Sequence, residues 1–190
     1  MMMKLMNLTL EKAVQHLQAG KVIAYPTEAV YGLGCAPLNE AAVMKILDLK
    51  SRPVHKGLIL ISYDFESLAP YLNLEVLTQT QLNSALASWP GPYTWLFPVS
   101  KLVPRWIKGE FSSVAVRVTG HPIAAQLCHL FGGPIVSTSA NVSGALPARD
   151  VKQILEQFPQ GLEGILEGEL DLKRGPSQMR DVQTGVVLRI

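Results

Sequence analysis

The sequence lacks most of the signatures that mark a familiar chemistry. Its 190 residues hold two cysteines, Cys35 and Cys128, too far apart for the paired spacing of a zinc or redox centre. No His-Glu-x-x-His segment, no Gly-x-x-x-x-Gly-Lys-Ser/Thr loop and no Gly-x-Ser-x-Gly elbow occurs, which excludes the zincin, P-loop and α/β-hydrolase templates. Gly32-Leu33-Gly34 begins like a dinucleotide fingerprint, but Pro37 stands where its third glycine belongs. The four histidines (His16, His55, His121 and His129) sit in no context that marks a catalytic base. No apolar run is long enough for a membrane span, and the opening Met1–Met6 turns polar at Asn7, too soon for a secretory h-region. Two scattered thiols suit a reduced, cytoplasmic protein in which both pack as small hydrophobes. Charge of either sign is scarce: 17 Lys and Arg against 15 Asp and Glu leave a net +2, too little to indicate nucleic acid by itself. With no repeat, low-complexity tract or linker, residues 1–190 read as one domain, and 48% hydrophobic content supplies a sizeable core.

What is present gathers around Gly133–Gly144. Ile135-Val136 suits a buried strand, but Ser137-Thr138-Ser139 does not suit a strand interior, so the strand is expected to end in a row of hydroxyls followed by Asn141. Strand ends in α/β sheets are where ligands bind. The plainer alternative is a polar turn capping the next helix. Far upstream, Lys50-Ser51-Arg52-Pro53 and Lys56 form a second polar cluster. A helix over about 40–49 must end there, because Pro53 disfavours helical geometry at Arg52. A cationic helix end accounts for Lys50, but not for Arg52 and Lys56 as well.

The remaining elements follow from periodicity and caps. A helix is expected over 8–20 with Thr9 as cap and Gly20 as terminator, then a strand over 21–25 stopped by Pro26. Residues 26–35 read as a polar, glycine-containing loop. Asn39 caps the second helix, and the apolar Gly57–Ile61 is a strand, giving a βαβ-like unit with the strand at 21–25. Helices are expected over 64–72 and 75–88, a break at Trp89-Pro90-Gly91-Pro92, and a strand from Tyr93 to Val99. Lys101, Arg105 and Lys108 surround Trp106 in what reads as a solvated loop with one anchoring ring. Ser113–Val118 alternates, so Ser113, Ala115 and Arg117 share a face, and an Arg in mid-strand either snorkels or grips an anion. A helix over 122–131, one capped by Asp150, an edge strand within 161–168 and a closing hairpin over 175–190 complete the chain. Strands alternating with helices in this way read as an α/β fold. Cations and hydroxyls on separate loops suit an anionic substrate whose transition state gains charge on oxygen, as in phosphoryl or nucleotidyl transfer.

Pro26–Gly34, Lys50-Ser51-Arg52-Pro53, Trp89–Pro92, Ala115-Val116-Arg117, Ser139-Ala140-Asn141 and Pro176-Ser177 resemble, in this order, the segments of the YrdC-like (TsaC) family, over essentially the whole chain and closest to its short bacterial members. The resemblance implies a three-layer fold on a twisted mixed sheet with a concave basic face. It implies condensation of L-threonine, bicarbonate or CO2, and ATP into threonylcarbamoyl-AMP and pyrophosphate, with Mg²⁺ accompanying ATP. The product then goes to threonylcarbamoyl-transferase proteins that modify tRNA. Carried over by position, Arg52, Lys56, Ser113, Ser139 and Arg189 contact ATP, Lys50 adds charge beside the triphosphate, and Asn141 completes a pair with Ser139. Lys50 and Arg52 are thereby the catalytic candidates. Arg117, Ser137 and Ser177 surround threonine, and Thr27 and Tyr31 line the same cavity. No protein metal ligand is implied. Two departures stand out: Ala29 where many longer relatives have Thr, and Ile61 where they often have His. A rival reading is a non-catalytic double-stranded RNA or tRNA-binding module that uses the same cations on phosphates.

Overall fold

The computed structural model describes residues 6–172, 175 and 177–189, with Met6 and Arg189 described by their backbone alone. The chain runs β1 (Met6–Leu8), α1 (Leu10–Gln18), β2 (Ile23–Pro26), β3 (Tyr31–Gly34), α2 (Glu40–Leu49), β4 (Ile59–Ser62), α3 (Gln79–Leu86), β5 (Tyr93–Pro98), α4 (Arg105–Lys108), β6 (Ser113–Val118), α5 (Pro122–Phe131), β7 (Ile135–Ser139), α6 (Val151–Gln157), β8 (Gly164–Leu166), β9 (Gln178–Asp181) and β10 (Val187–Arg189). The caps form where the side chains allow them. Thr9, Asn39 and Asp150 accept from Lys12, Ala42 and Gln153 amides at 3.3, 3.0 and 2.8 Å, each worth about 1 kcal/mol.

The ten strands of the described residues join one mixed sheet in the order β1-β8-β2-β3-β7-β4-β6-β5-β9-β10. Period-two alternation sends neighbouring residues to opposite faces. Ile23, Tyr25, Ile61 and Ile135 pack with Val14 and Leu17 of α1 and Ala124 and Leu127 of α5. Val22, Ala24, Leu60 and Val136 pack with Val43, Ile46 and Leu47 of α2. Both faces are thus covered, which makes the three layers.

Several local expectations are revised. Residues 31–34 are not loop but β3, antiparallel to β2 (Ile23 opposite Gly34, Pro26 opposite Tyr31). Gly34 permits this: a Cβ there would lie 2.6 Å from Tyr25 Cε1 and 2.9 Å from the Val136 carbonyl oxygen. The crossover is therefore β3-α2-β4, and β7 lies antiparallel between those two strands. The hydroxyls of 137–139 stay within β7, where Ser137 pairs with Ile59, Thr138 with Leu33 and Ser139 with Gly32. Residues 64–72 form turns and a short 3-10 segment at Ala69–Tyr71, because Pro70 disfavours an α conformation before it. A second 3-10 turn at Leu74–Val76 precedes α3, which Thr78 and Gln81 cap reciprocally. β8 is not an edge strand: it lies between β1 and β2, parallel to both, with all three residues buried.

Candidate active site

On the face bearing α1 and α5, the sheet continues past those helices across β4, β6 and β5. Residues that pair across these strands point the same way. Ser137 lies opposite Ile59, Ile59 opposite Ala115, and Ala115 opposite Leu96. Above them opens a cavity of about 480 Å³, the size of small-molecule sites. Among the described residues its wall carries four cations, Arg52, Lys56, Lys108 and Arg117, against one carboxylate, Glu28, with Thr27, Ser113, Ser137, Thr138, Ser139 and Ser177 as neutral polar groups.

The first cation pair is set by how α2 ends. The Arg52 amide bonds Leu47 O at 2.9 Å and the Ser51 amide bonds Asp48 O at 3.0 Å, a Schellman turn with Ser51 at φ +49° in the place glycine usually takes. The reversal sends the two flanking cations to different duties. Arg52 lines the cavity, its Nε and Nη2 donating to Gly57 O at 3.3 and 2.9 Å. Lys50 does not reach the cavity wall. It is 3% exposed, and its ammonium donates to Ser139 O, to Asn141 O at 2.7 Å and to Asn141 Oδ1 at 3.5 Å. Burial, and after it the charge of Arg52, draws this ammonium down to about 8, so it remains charged at neutral pH. In this arrangement Lys50 is a brace beneath the Ser139–Asn141 turn. Asn141 is likewise a brace. Its Oδ1 accepts from Ser139 Oγ at 2.6 Å, and its Nδ2 donates to Val142 O and Ala145 O, both at 3.0 Å.

Arg117 faces the cavity from β6, 8% exposed. Its Nη2 lies 3.4 Å from Glu28 Oε2, and its buried Nε has no hydrogen-bond partner. Glu28 Oε1 accepts from Thr119 Oγ1 at 2.9 Å and from the Gly120 amide at 3.1 Å. Burial pushes the Glu28 carboxyl up, but Arg117 and these donors outweigh it and hold the group below its ordinary value. Ser177 Oγ sits 2.9 Å from Thr94 Oγ1, whose side chain is fully buried on β5.

Eight expected site residues thus share one cavity: Thr27, Arg52, Lys56, Ser113, Arg117, Ser137, Ser139 and Ser177. Tyr31 does not join them. Gly32 pairs with Ser139 on the cavity face, so Tyr31 points to the other face, where its hydroxyl donates to Gly168 O at 3.1 Å. The Arg189 side chain lies outside the described residues, as does Pro176. Ile61 pairs with Arg117 in register and is fully buried among apolar side chains. Trp106 anchors through Nε1 to Pro37 O at 3.0 Å, on the short helix α4 rather than a loop. The sequence reading missed Glu28, Thr94, Lys108 and Phe111. Glu28 alone carried a signal, as an acid amid the glycines and hydroxyls of 26–34. Both cysteines are buried, and burial pushes each thiol up to about 12. Among the described residues, no group of three or more His, Cys, Asp or Glu could hold a metal ion. No helix of these residues is long and apolar enough to cross a membrane.

The Sua5/YciO/YrdC family profile, described as "Telomere recombination", matches residues 15–190. A Vibrio campbellii protein named threonylcarbamoyl-AMP synthase is 49% identical over 179 residues, covering 94% of this chain and 97% of its own. A Xanthomonas oryzae protein of the same name is 44% identical and covers 96% and 97%. Among solved structures, P. abyssi Sua5 complexed with L-threonine superposes with a TM-score of 0.83 at 34% identity, over 93% of this chain and 52% of that one. This chain therefore spans about half the length of that relative. E. coli YciO gives a TM-score of 0.83 at 28% identity, over 95% and 87%. The chain belongs to the Sua5/YciO/YrdC family.

Proposed function

We infer that this chain is a threonylcarbamoyl-AMP synthase, a nucleotidyltransferase that makes threonylcarbamoyl-AMP and pyrophosphate from L-threonine, bicarbonate or CO2, and ATP, working as one domain in the cytoplasm. The observation that carries this reading is the shared cavity. Cations from the α2–β4 loop and from β6 meet the hydroxyls of β7 around one small volume, with Arg117 Nε buried and lacking an acceptor. Arg117 takes the threonine carboxylate, a planar anion that a guanidinium can grip with two donors. Ser137 and Ser177 flank it. Arg52, Lys56, Ser113 and Ser139 face the nucleotide.

Bicarbonate takes up a proton and loses water to give CO2; threonine's neutral amine then forms an N–C bond to CO2 as one C=O π bond opens to a carboxylate, and the N–H proton passes to solvent, giving a carbamate. A carbamate oxygen then forms a P–O bond to the α-phosphorus as the bond to the β-phosphate bridge breaks and pyrophosphate leaves. The cations stabilise charge that develops on the phosphate oxygens. Apolar walls from Leu58, Ile59, Leu96 and Val114 limit water around the labile carbamate. The donor set does not suit a resident Mg²⁺, a hard cation that takes carboxylate and carbonyl oxygens. Among the described residues the wall holds a single carboxylate, Glu28, which faces Arg117, so no step is assigned to a metal held by the protein. Mg²⁺ enters as part of the ATP complex. The product passes to threonylcarbamoyl-transferase proteins that modify tRNA.

A bare RNA-binding module has no use for a small-molecule cavity walled by a guanidinium that lacks a partner at Nε. The discriminating experiment measures pyrophosphate release from Mg-ATP without RNA, omitting threonine and bicarbonate in turn. Release that requires both is expected. ATP cleavage indifferent to threonine would assign a different carbamoyl-adenylate chemistry, and no release would favour the binding module.

A further inference from the structure

Glu28 has no task in the scheme above. A carboxylate in a wall that also carries Arg52, Lys56, Lys108 and Arg117 repels a triphosphate, so its presence there calls for another partner. It is not placed by Arg117 alone, since Oε1 is fixed by the Thr119 hydroxyl and the Gly120 amide. Oε2 meets Arg117 through one nitrogen only, at 3.4 Å. That single long contact leaves guanidinium donors in the cavity wall for a second carboxylate. It also leaves Oε2 with acceptor capacity toward the cavity. A fixed cation and a fixed anion side by side mirror the charge pair of an α-amino-acid zwitterion, whose carboxylate and ammonium stand on one carbon.

We propose that Glu28 binds the α-ammonium group of the amino-acid substrate while Arg117 binds its carboxylate, so that the pair selects α-amino acids over hydroxy acids and simple carboxylates. This rests on the reading of the cavity as the threonine site. The lowered carboxyl value fits the role, because Glu28 is an anion throughout the neutral range.

The test is calorimetric binding of L-threonine and of 2,3-dihydroxybutanoate, which replaces the ammonium by a hydroxyl, to the wild type, Glu28→Gln and Arg117→Ala. The wild type should prefer threonine by about tenfold or more, the value of one hydrogen bond between charged groups. In Glu28→Gln, whose amide oxygen can still accept from Thr119 and Gly120, threonine should weaken about tenfold while the hydroxy acid changes less than about twofold. Equal weakening of both ligands would show that Glu28 acts only through Arg117, and would overturn the proposal. Equal affinity of the wild type for both ligands would overturn it too, and that arm stands even if the variant does not fold. Arg117→Ala should weaken both. Threonine binding indifferent to Arg117→Ala would instead refute the threonine site itself.

Discussion

Replacing Lys50 by methionine separates two roles that this lysine could play. Methionine fills much of the same buried space but donates nothing. Asn141 O then loses the one partner found for it, while Ser139 O keeps the Asn141 amide at 2.9 Å and Asn141 Oδ1 keeps Ser139 Oγ at 2.6 Å. Orphaning a part-buried carbonyl costs up to about 1–3 kcal/mol. Loss of two further charge-assisted contacts adds to this, and relief of a buried ammonium offsets part of it. A net loss of about 2 kcal/mol lowers the melting temperature by about 4–8 °C at this chain length. Because the turn carries Ser139 into the cavity, a shift of about 1 Å would cut kcat/KM about a hundredfold. Thermal melts and threonine-dependent pyrophosphate release read the two effects together. An unchanged or raised melting temperature, with the loss confined to KM for ATP, would refute the brace and return Lys50 to the triphosphate.

Gly34→Ala should destabilise by about 2 kcal/mol, since neither the Val136 carbonyl nor the packed Tyr25 ring can give way; a wild-type urea midpoint would contradict the close approach of β2, β3 and β7. The native Glu28 carboxyl titrates below its ordinary 4.5, so its stabilisation is present above that value and fades as the pH falls through the lowered native one. The stability gap between wild type and Glu28→Gln should therefore narrow on going from pH 6 to pH 3, and a constant gap would refute the pairing with Arg117. Cys35 and Cys128, both near 12, should resist iodoacetamide at pH 8 in the folded protein and react when unfolded. Rapid native alkylation would contradict their burial.

The helices were legible where side chain and backbone agree, as at Thr9, Asn39 and Asp150, and so was the shared face of Ser113, Ala115 and Arg117. Most of the hydroxyl and cation positions were legible through motif order. What escaped was decided by partners distant in sequence. Tyr31–Gly34 looks like a loop until β2 and β7 flank it, and only that pairing shows that Tyr31 must point away from Ser139. Lys50 and Arg52 look equivalent until the left-handed Ser51 turns them apart. Glu28 gains meaning only beside Arg117, 89 positions along the numbering from 28 to 117. Leu166 and its neighbours looked like an edge because nothing local announces that β1 covers them.

The central claim is that one cavity joins the α2–β4 cations to the β7 hydroxyls around both substrates. Diffraction from crystals grown with L-threonine and a non-hydrolysable ATP analogue tests it most directly. The expected density places phosphates against Arg52 and Lys56, and the threonine carboxylate against Arg117 within the 480 Å³ cavity. Ligand density on the opposite face of the sheet, beside Tyr31, would contradict it.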